Sequence, residues 1–338
     1  MLFGGRSAEH DVSCVTAKHV LDAVRSDRYE IVPIGISRQG SWAHAKVDPD
    51  AEALDPQGEP IEPFKLLCDI SSRAGAVLPL LHGPLGEDGT IQGMCELADV
   101  PYAGAGVLGS ALAMDKIAAK NALLAAGVPQ AAFMGFHADE ISEDTAEVLL
   151  SRLGSPVFVK PANMGSSVGV GRAETVDEVN EALHLAASYD EWIVVEEAIV
   201  GREIEIAVLG NRSPRTSLPG EIVAGADFYT YEDKYHDGVA KLLIPAPLDE
   251  AEIQEMQRLA VAAYRALRVE GLARADFFYE PEGRGWLVNE LNTMPGFTPI
   301  SMYPKMWEAS GVSYADLIDE LIGLAYDRHS RRIRNTGH

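Results

Sequence analysis

The stretch VNELNTMPG, Val288 to Gly296, sets a carboxylate (Glu290) and an amide (Asn292) two residues apart on what reads as a strand. Side chains two apart on a strand share a face. Both therefore point the same way, just before Pro295 and Gly296 end any regular structure. Upstream, RADFFY (274–279) and WLVNELN (286–292) flank the turn EPEGRG. Symmetric pairing about that turn puts Asp276 opposite Glu290, Arg274 opposite Asn292 and Tyr279 opposite Leu287. One side of the hairpin then carries Arg274, Asp276, Glu290 and Asn292. The other carries Ala275, Phe277, Tyr279, Leu287 and Leu291, with Asn289 as its polar member. Facing carboxylates repel unless a cation lies between them. Hard oxygen donors suit Mg2+, which takes one or two carboxylates and fills its shell with phosphate oxygens. An edge hairpin with a solvated polar side would have the same pattern, so these residues leave both readings open.

Two further motifs bear on phosphate. In VFVKPANMGSSVGV, Lys160 ends a strand and Gly165-Ser166-Ser167 follow. Small residues let backbone N–H groups close on phosphate oxygens while a lysine neutralises charge. The lysine precedes the glycine and the loop returns to a strand, which excludes a Walker A loop and suggests a flap over phosphates. A Gly-Ser hairpin filler would look alike. In WIVVEEAIVGREIEIAVLG, the run Glu196-Glu197-Ala198-Ile199 lies between two strands. Such a run can read adenine through backbone groups under apolar side chains, and Glu203 could accept from ribose hydroxyls. Solvent-facing positions of an antiparallel pair would also account for these glutamates.

The elements that must position these residues are legible in outline. LFGGRSAEHDVSCVTAKHVLDAV reads as a very short or trimmed first strand, a Gly-Gly loop and a helix from about Val12 to Val24. YEIVPIGIS, GAVLPLLHG and VPYAG read as strands, and EDGTIQGMCELADV as a helix with acidic residues at its start, where the dipole favours them. The Pro-, Asp- and Glu-rich residues 44–72 read as a surface excursion. Alternation of this kind predicts a parallel α/β domain ending near Gly104. One helix is expected over 107–126, another after the cap Thr175, and a long amphipathic one over DEAEIQEMQRLAVAAYRALR. WIVVEEAIVGREIEIAVLG reads as a strand pair broken at Gly201. A Tyr-rich loop spans 226–238, and a closing helix lies around 313–325.

Acidic residues outnumber basic ones 51 to 28, a formal net charge of −23. That charge argues against nucleic acid or an anionic membrane as partner, so any phosphate must be met by a local basic site or a metal ion. Cys14, Cys68 and Cys95 show no ligand spacing, which suits a reducing cytoplasm. No apolar run approaches membrane length.

Taken together, FGGRSAEH-DVS, LHGPLGEDGTIQG, AMDK, VKPANMGSSVGV, EE-x-x-x-GRE, FYTYEDKY, RADFF and NELNTMPGFTPISMYP resemble, in order along almost the whole chain, the D-alanine–D-alanine ligase family of ATP-grasp enzymes. The resemblance implies an α/β protein of three domains: an N-terminal parallel α/β substrate domain (1–104), a small central lid domain (105–195) and a C-terminal α+β domain with the metal site (196–338). It implies ATP-dependent joining of two D-alanines through a D-alanyl phosphate, for peptidoglycan synthesis, by a cytoplasmic homodimer. ATP and two Mg2+ (or Mn2+) ions are the implied cofactors. Carried over, Lys116 and Lys160 hold the α- and β-phosphates, with Ser167 and Lys234 also at the nucleotide. Glu196, Glu197, Ala198 and Ile199 line the adenine, and Glu203 binds the ribose. Asp276, Glu290 and Asn292 hold the metals. Glu9 takes the first substrate's ammonium and belongs to a hydrogen-bonded set with Ser166 and Tyr235. Arg274 and the Gly296 backbone serve the oxyanion, Ser301 and Met302 the second carboxylate. His82 matches a position near the reacting atoms, and ordering its Gly-rich turn is an equally open role. The short first strand and Asp11 are departures from the family pattern. A D-alanine–D-lactate ligase, another ATP-grasp carboxylate–amine ligase and a silent ATP-binding regulator are the rivals. A dinucleotide-dependent oxidoreductase is disfavoured, since GGRSAEH lacks G-x-G-x-x-G.

Overall fold

The computed structural model describes residues 1–223 and 241–332. The first sheet is built from β1 (Leu2–Gly4), β2 (Ile34–Ile36), β3 (Trp42–Ala45) and β4 (Gly58–Pro60), in that order. Only β1 and β2 pair in parallel; β3 and β4 add antiparallel. GAVLPLLHG and VPYAG do not form full strands but continue the parallel run through the bridges Leu2–Pro79 and Val77–Tyr102. The segments expected as parallel strands do run parallel, and the antiparallel β3 and β4 extend their sheet at one edge. Residues 44–72 are also more ordered than a surface excursion, since they supply β4 and α2 (Pro63–Ser72), whose Leu67 is fully buried. The other helices of this region are α1 (His10–Ala23) and α3 (Thr90–Leu97).

The expected helix over 107–126 is two, α4 (Val107–Met114) and α5 (Lys116–Ala125), because Asp115 leaves helical geometry and caps α5 by accepting from Ala118 N. That break starts α5 at Lys116. A second sheet has the order β5-β8-β6-β7, from β5 (Phe133–His137), β6 (Val157–Pro161), β7 (Gly171–Ala173) and β8 (Trp192–Glu197), all antiparallel. The strand β5 had no counterpart in the sequence reading. The helices α6 (Thr145–Leu153) and α7 (Val176–Ala187) pack on this sheet. Thr175 and Glu178 close a capping box on α7, satisfying two N-terminal donors.

The largest sheet is ordered β12-β11-β9-β13-β14, with β10 against β9. Its strands are β9 (Arg202–Gly210), β10 (Arg215–Thr216), β11 (Gly220–Val223), β12 (Lys241–Leu243), β13 (Gly271–Glu280) and β14 (Gly285–Asn292). The expected pairing of the strands flanking Gly201 does not occur: β8 and β9 enter different sheets. Strand β9 is buried on both faces. Ile204, Ile206 and Val208 face a core with α4, α5 and α8 (Glu250–Ala266). Ala207 and Leu209 face a second core with α9 (Met302–Ala309) and α10 (Tyr314–Ser330), which also takes in Phe3 and Leu80 of the N-terminal region. Each fully buried Val, Leu or Ile side chain contributes roughly 1.5–3 kcal/mol, so this sheet is held by packing from both faces. Among the described residues no helix is long and apolar enough to cross a membrane.

Candidate active site

The hairpin β13–β14 carries the hydrophilic rungs. Asp276 pairs with Glu290 and Arg274 with Asn292, as symmetric pairing predicts, but nearer the turn Tyr279 pairs with Trp286 rather than Leu287. A bulge between Asp276 and Phe277 leaves Asn289 as the extra residue. The physical reason is phase. The bulge moves Val288 and Trp286 onto the apolar side, where Trp286 stacks on Tyr279 at 4.1 Å, while Glu290 and Asn292 stay on the polar side. On its other edge β13 pairs with β9, which adds Glu205 beside Asp276. One rung is thus Glu205–Asp276–Glu290 and the next Ala207–Arg274–Asn292.

The polar side is not a solvated edge. Arg274 donates from Nε and Nη2 to both oxygens of Asp276, each at 2.7 Å, and lies 3.1 Å from Glu205 Oε2. Burial works against the guanidinium charge, yet Asp276 and Glu205 hold its pKa well above the usual range. Asn292 Nδ2 donates to Asp276 Oδ2 at 2.9 Å and lies 3.5 Å from Glu290 Oε1. Among the described residues no three His, Cys, Asp or Glu side chains cluster as metal ligands. The hairpin offers two carboxylates and one amide. This donor set fits Mg2+ or Mn2+ only if phosphate oxygens complete the shell.

Across the cleft stand the cations. Lys116, first residue of α5, donates to Met164 O at 2.5 Å, so α5 anchors the start of the Gly-Ser loop. Its burial lowers its pKa. Lys160 on β6 donates to Glu196 Oε2 on the adjacent β8 at 3.1 Å. Glu196 is buried, which alone would raise its carboxyl, but Lys160 and Lys120 bring it down to about 2. A single cleft is lined by Lys116, Lys120, Lys160, Glu196 and Glu290, with Leu267 and Leu291 as apolar walls. Glu203 lies on β9 in register with Phe278 of β13.

The neighbouring residues divide. The Glu197 carboxylate accepts from Ala132 N at 2.7 Å and Arg284 Nη1 at 2.6 Å, so its charge is engaged outside the cleft. Ala198 N donates to Pro156 O, leaving its carbonyl as the group to offer a ligand. Ile199 follows it in the β8–β9 connection, half-buried.

The Gly-Ser loop reaches the N-terminal region. Ser166 Oγ donates to Glu9 Oε1 at 2.7 Å, joining residues 157 positions apart. Ser166 and Ser167 hold φ of 50° and 60°, a left-handed conformation unusual for a residue with a Cβ. Gly83 crowds the same carboxylate: a Cβ there would lie 2.9 Å from Glu9 Oε2. His82, next to it, is buried and bonds through Nδ1 to Met294 O at 2.9 Å. The carbonyl can only accept, so Nδ1 carries the proton and Nε2 is the basic nitrogen. Burial lowers the His82 pKa, against the opposing pull of Glu9. Gly296 approaches Ser301, where a Cβ would meet Oγ at 3.1 Å. Ser301 precedes the first residue of α9 without capping it through its side chain, whose Oγ instead shares a 2.8 Å bond with Thr298 Oγ1. Met302 has its side chain buried beside Gly220, so a ligand could reach it only through its backbone. Lys234 and Tyr235 lie outside the described residues.

Three residues were missed. Glu87 accepts from Gly83 N at 2.7 Å and Met294 N at 3.0 Å. Burial, reinforced by Glu9, pushes its pKa up to about 8. Its GEDGT context read only as acidic residues at a helix start. Lys120 lies one helical turn beyond Lys116, and Glu205 two residues beyond Glu203 on the same strand face; that spacing was the available signal. A separate cavity of about 220 Å³, between α3 and α10, is lined by Cys95 but by none of the residues assigned to the nucleotide, metal or substrate. There His329 meets Asp99 and Arg332 meets Glu96.

Comparison with known proteins shows the family. The family described as D-ala D-ala ligase N-terminus matches residues 1–105, and D-ala D-ala ligase C-terminus matches residues 123–323. The D-alanine–D-alanine ligase of Bacillus licheniformis is 45% identical over 98% of this chain and 96% of its own length. That of a Thermoanaerobacter species is 44% identical over 99% and 98%. Among solved structures, the D-alanine–D-alanine ligase of Coxiella burnetii superposes with a TM-score of 0.80 at 36% identity, covering 98% of this chain and 95% of that one. The VanG D-Ala:D-Ser ligase of Enterococcus faecalis gives 0.81 at 33% identity, covering 96% and 98%.

Proposed function

This chain belongs to the D-alanine–D-alanine ligase family, and from that premise we propose that it joins two D-alanines into D-alanyl-D-alanine, with ATP converted to ADP and phosphate, for peptidoglycan synthesis. The observation that carries the reading is the one cleft in which Lys116, Lys160 and Glu196 face the hairpin carboxylate Glu290. A carboxylate is a poor acylating agent. Transfer of the γ-phosphoryl group to the first D-alanine makes an acyl phosphate, and the deprotonated amine of the second attacks its carbonyl carbon as phosphate leaves.

In this scheme Lys116 and Lys160 hold the phosphates beneath the Ser166–Ser167 loop. Glu196 and the backbone at Ala198 and Ile199 meet the adenine, and Glu203 the ribose. Asp276, Glu290 and Asn292 hold the family's divalent metal, which we take to be two Mg2+ or Mn2+ ions. Bound there, such ions neutralise and orient the phosphate oxygens. Glu9, fixed by Ser166, receives the first ammonium. Arg274 and the Gly296 N–H stabilise the tetrahedral oxyanion, a task for fixed donors in a dry site. Ser301 and the Met302 backbone take the second carboxylate, and His82 Nε2 faces the second amine. The free thiols of Cys14, Cys68 and Cys95 support a reducing cytoplasm, where we place the enzyme as a homodimer.

The test is direct. Pure protein with ATP, Mg2+ and D-alanine should release phosphate and a product of dipeptide mass, and L-alanine should not. A mixed reaction with D-lactate or D-serine dominated by the mixed product would reassign the second substrate.

A further inference from the structure

We propose that Lys120 is a positioning residue for the nucleotide: it holds the buried Glu196 carboxylate as a fixed anion, so that Lys160 is free to leave it for the phosphates. This rests on the reading of the cleft as the ATP site. Glu196 is 3% exposed, and its two oxygens are divided between two ammonium groups, Oε1 at 3.3 Å from Lys120 and Oε2 at 3.1 Å from Lys160. The two lysines differ in freedom. The Lys120 side chain is 3% exposed, on the inner face of α5 and over the Phe133 ring at 5.5 Å, whereas that of Lys160 is 17% exposed at the cleft. Among the described residues the Lys120 ammonium makes no well-aligned hydrogen bond, and Glu196 is its ion partner. A buried lysine with one partner is expensive to keep unless the partner needs it.

The need is plain if Lys160 changes partner. Pulling Lys160 from Glu196 toward a triphosphate would strand a buried carboxylate if no second cation stood by. Lys120 supplies that cation from a position the phosphates do not reach for, on the opposite oxygen of the carboxylate. Glu196 thereby stays charged and in place to meet the adenine while Lys160 moves.

ATP binding to the whole protein, measured calorimetrically, decides the matter. Lys120→Met should weaken ATP roughly tenfold or more, about 1.4 kcal/mol per tenfold, while turnover at saturating ATP stays within a few-fold. Lys120→Met added to Glu196→Gln should cost no further affinity, because a neutral amide needs no counter-ion; a packing role would cost the same in both backgrounds. Should Lys120→Met fail to fold, the double variant, with both charges removed, is compared with Glu196→Gln alone: equal affinity supports the role and a further loss overturns it. Wild-type affinity in Lys120→Met overturns it too. Wild-type protein that does not bind ATP would instead overturn the reading of the cleft itself, and this inference with it.

Discussion

In the proposed site the hairpin β13–β14 and the Gly-Ser loop would meet one nucleotide from opposite sides, and the two are built on opposite principles. The hairpin presents charge from side chains on β13, paired along both edges, and on β14, the sheet's end strand, with Asp276 locked by Arg274 and Asn292. The loop presents backbone from residues 165–170. Its start is anchored through Asn163 to Asp190 and Asp115 and through Met164 to Lys116. Beyond it Ser166 and Ser167 sit at positive φ and the bonds are local turns, Val168 N to Gly165 O and Val170 N to Ser167 O, with Ser166 to Glu9. A site for concentrated charge must be pre-arranged, because like charges will not gather unaided. A cover must open and close, so it cannot be welded into a sheet.

If that contrast holds, the hairpin should be sensitive in chemistry and the loop in closure. The largest effect is expected from Glu290→Gln. Turnover should fall by roughly a hundredfold or more, since several kcal/mol of transition-state charge stabilisation are lost. The metal-free melting temperature should hold or rise, because one of two facing carboxylates becomes neutral. Near-normal turnover would mean that Glu290 holds no catalytic metal.

Next comes the clamp at the hairpin's end, where Glu87 grips Met294 N and Gly83 N. Its pKa rises from 4.5 unfolded to about 8 folded. The folded state then binds the extra proton between those values, so stability is greatest below the unfolded value and falls as pH rises toward 8. Urea denaturation at pH 5 and pH 8 should show the wild type losing on the order of a few kcal/mol relative to Glu87→Gln, which cannot titrate there. A difference that does not change with pH would mean that Glu87 is ionised throughout.

A smaller effect is expected in the loop. Ser166→Ala removes a charge-assisted bond worth roughly 1.5–3 kcal/mol, and kcat/KM should fall about tenfold or more while the melting temperature barely moves. A melting loss as large as the catalytic one would make that bond a structural tie. The smallest is Ser167→Gly. Glycine adopts φ near 60° freely but costs more to order, so stability should change by less than about 1 kcal/mol. A larger loss, read by chemical denaturation, would mean that the loop depends on the Ser167 side chain.

What the sequence determined, it determined through periodicity and local chemistry. Two-residue spacing put Arg274, Asp276, Glu290 and Asn292 on one side of a hairpin, and capping chemistry placed Thr175 at a helix start. Local rules only suggest Lys160 and the Gly-Ser loop, because a small-residue run after a strand is also a common hairpin filler; the ordered set of motifs singles it out. The tertiary structure alone decided which surfaces meet. Periodicity gives a side chain a face and says nothing of the element opposite it. Hence β8 and β9 parted into separate sheets, and the bulge at Asn289 rephased the hairpin to satisfy Trp286 and Val288. For the same reason Lys120, an ordinary lysine on a helix, became the buried partner of Glu196, and Glu87, an acidic residue at a helix start, became the clamp on Met294. Burial turns such residues from solvated charges into groups that must be paired or neutralised, and burial is a property of the packed chain.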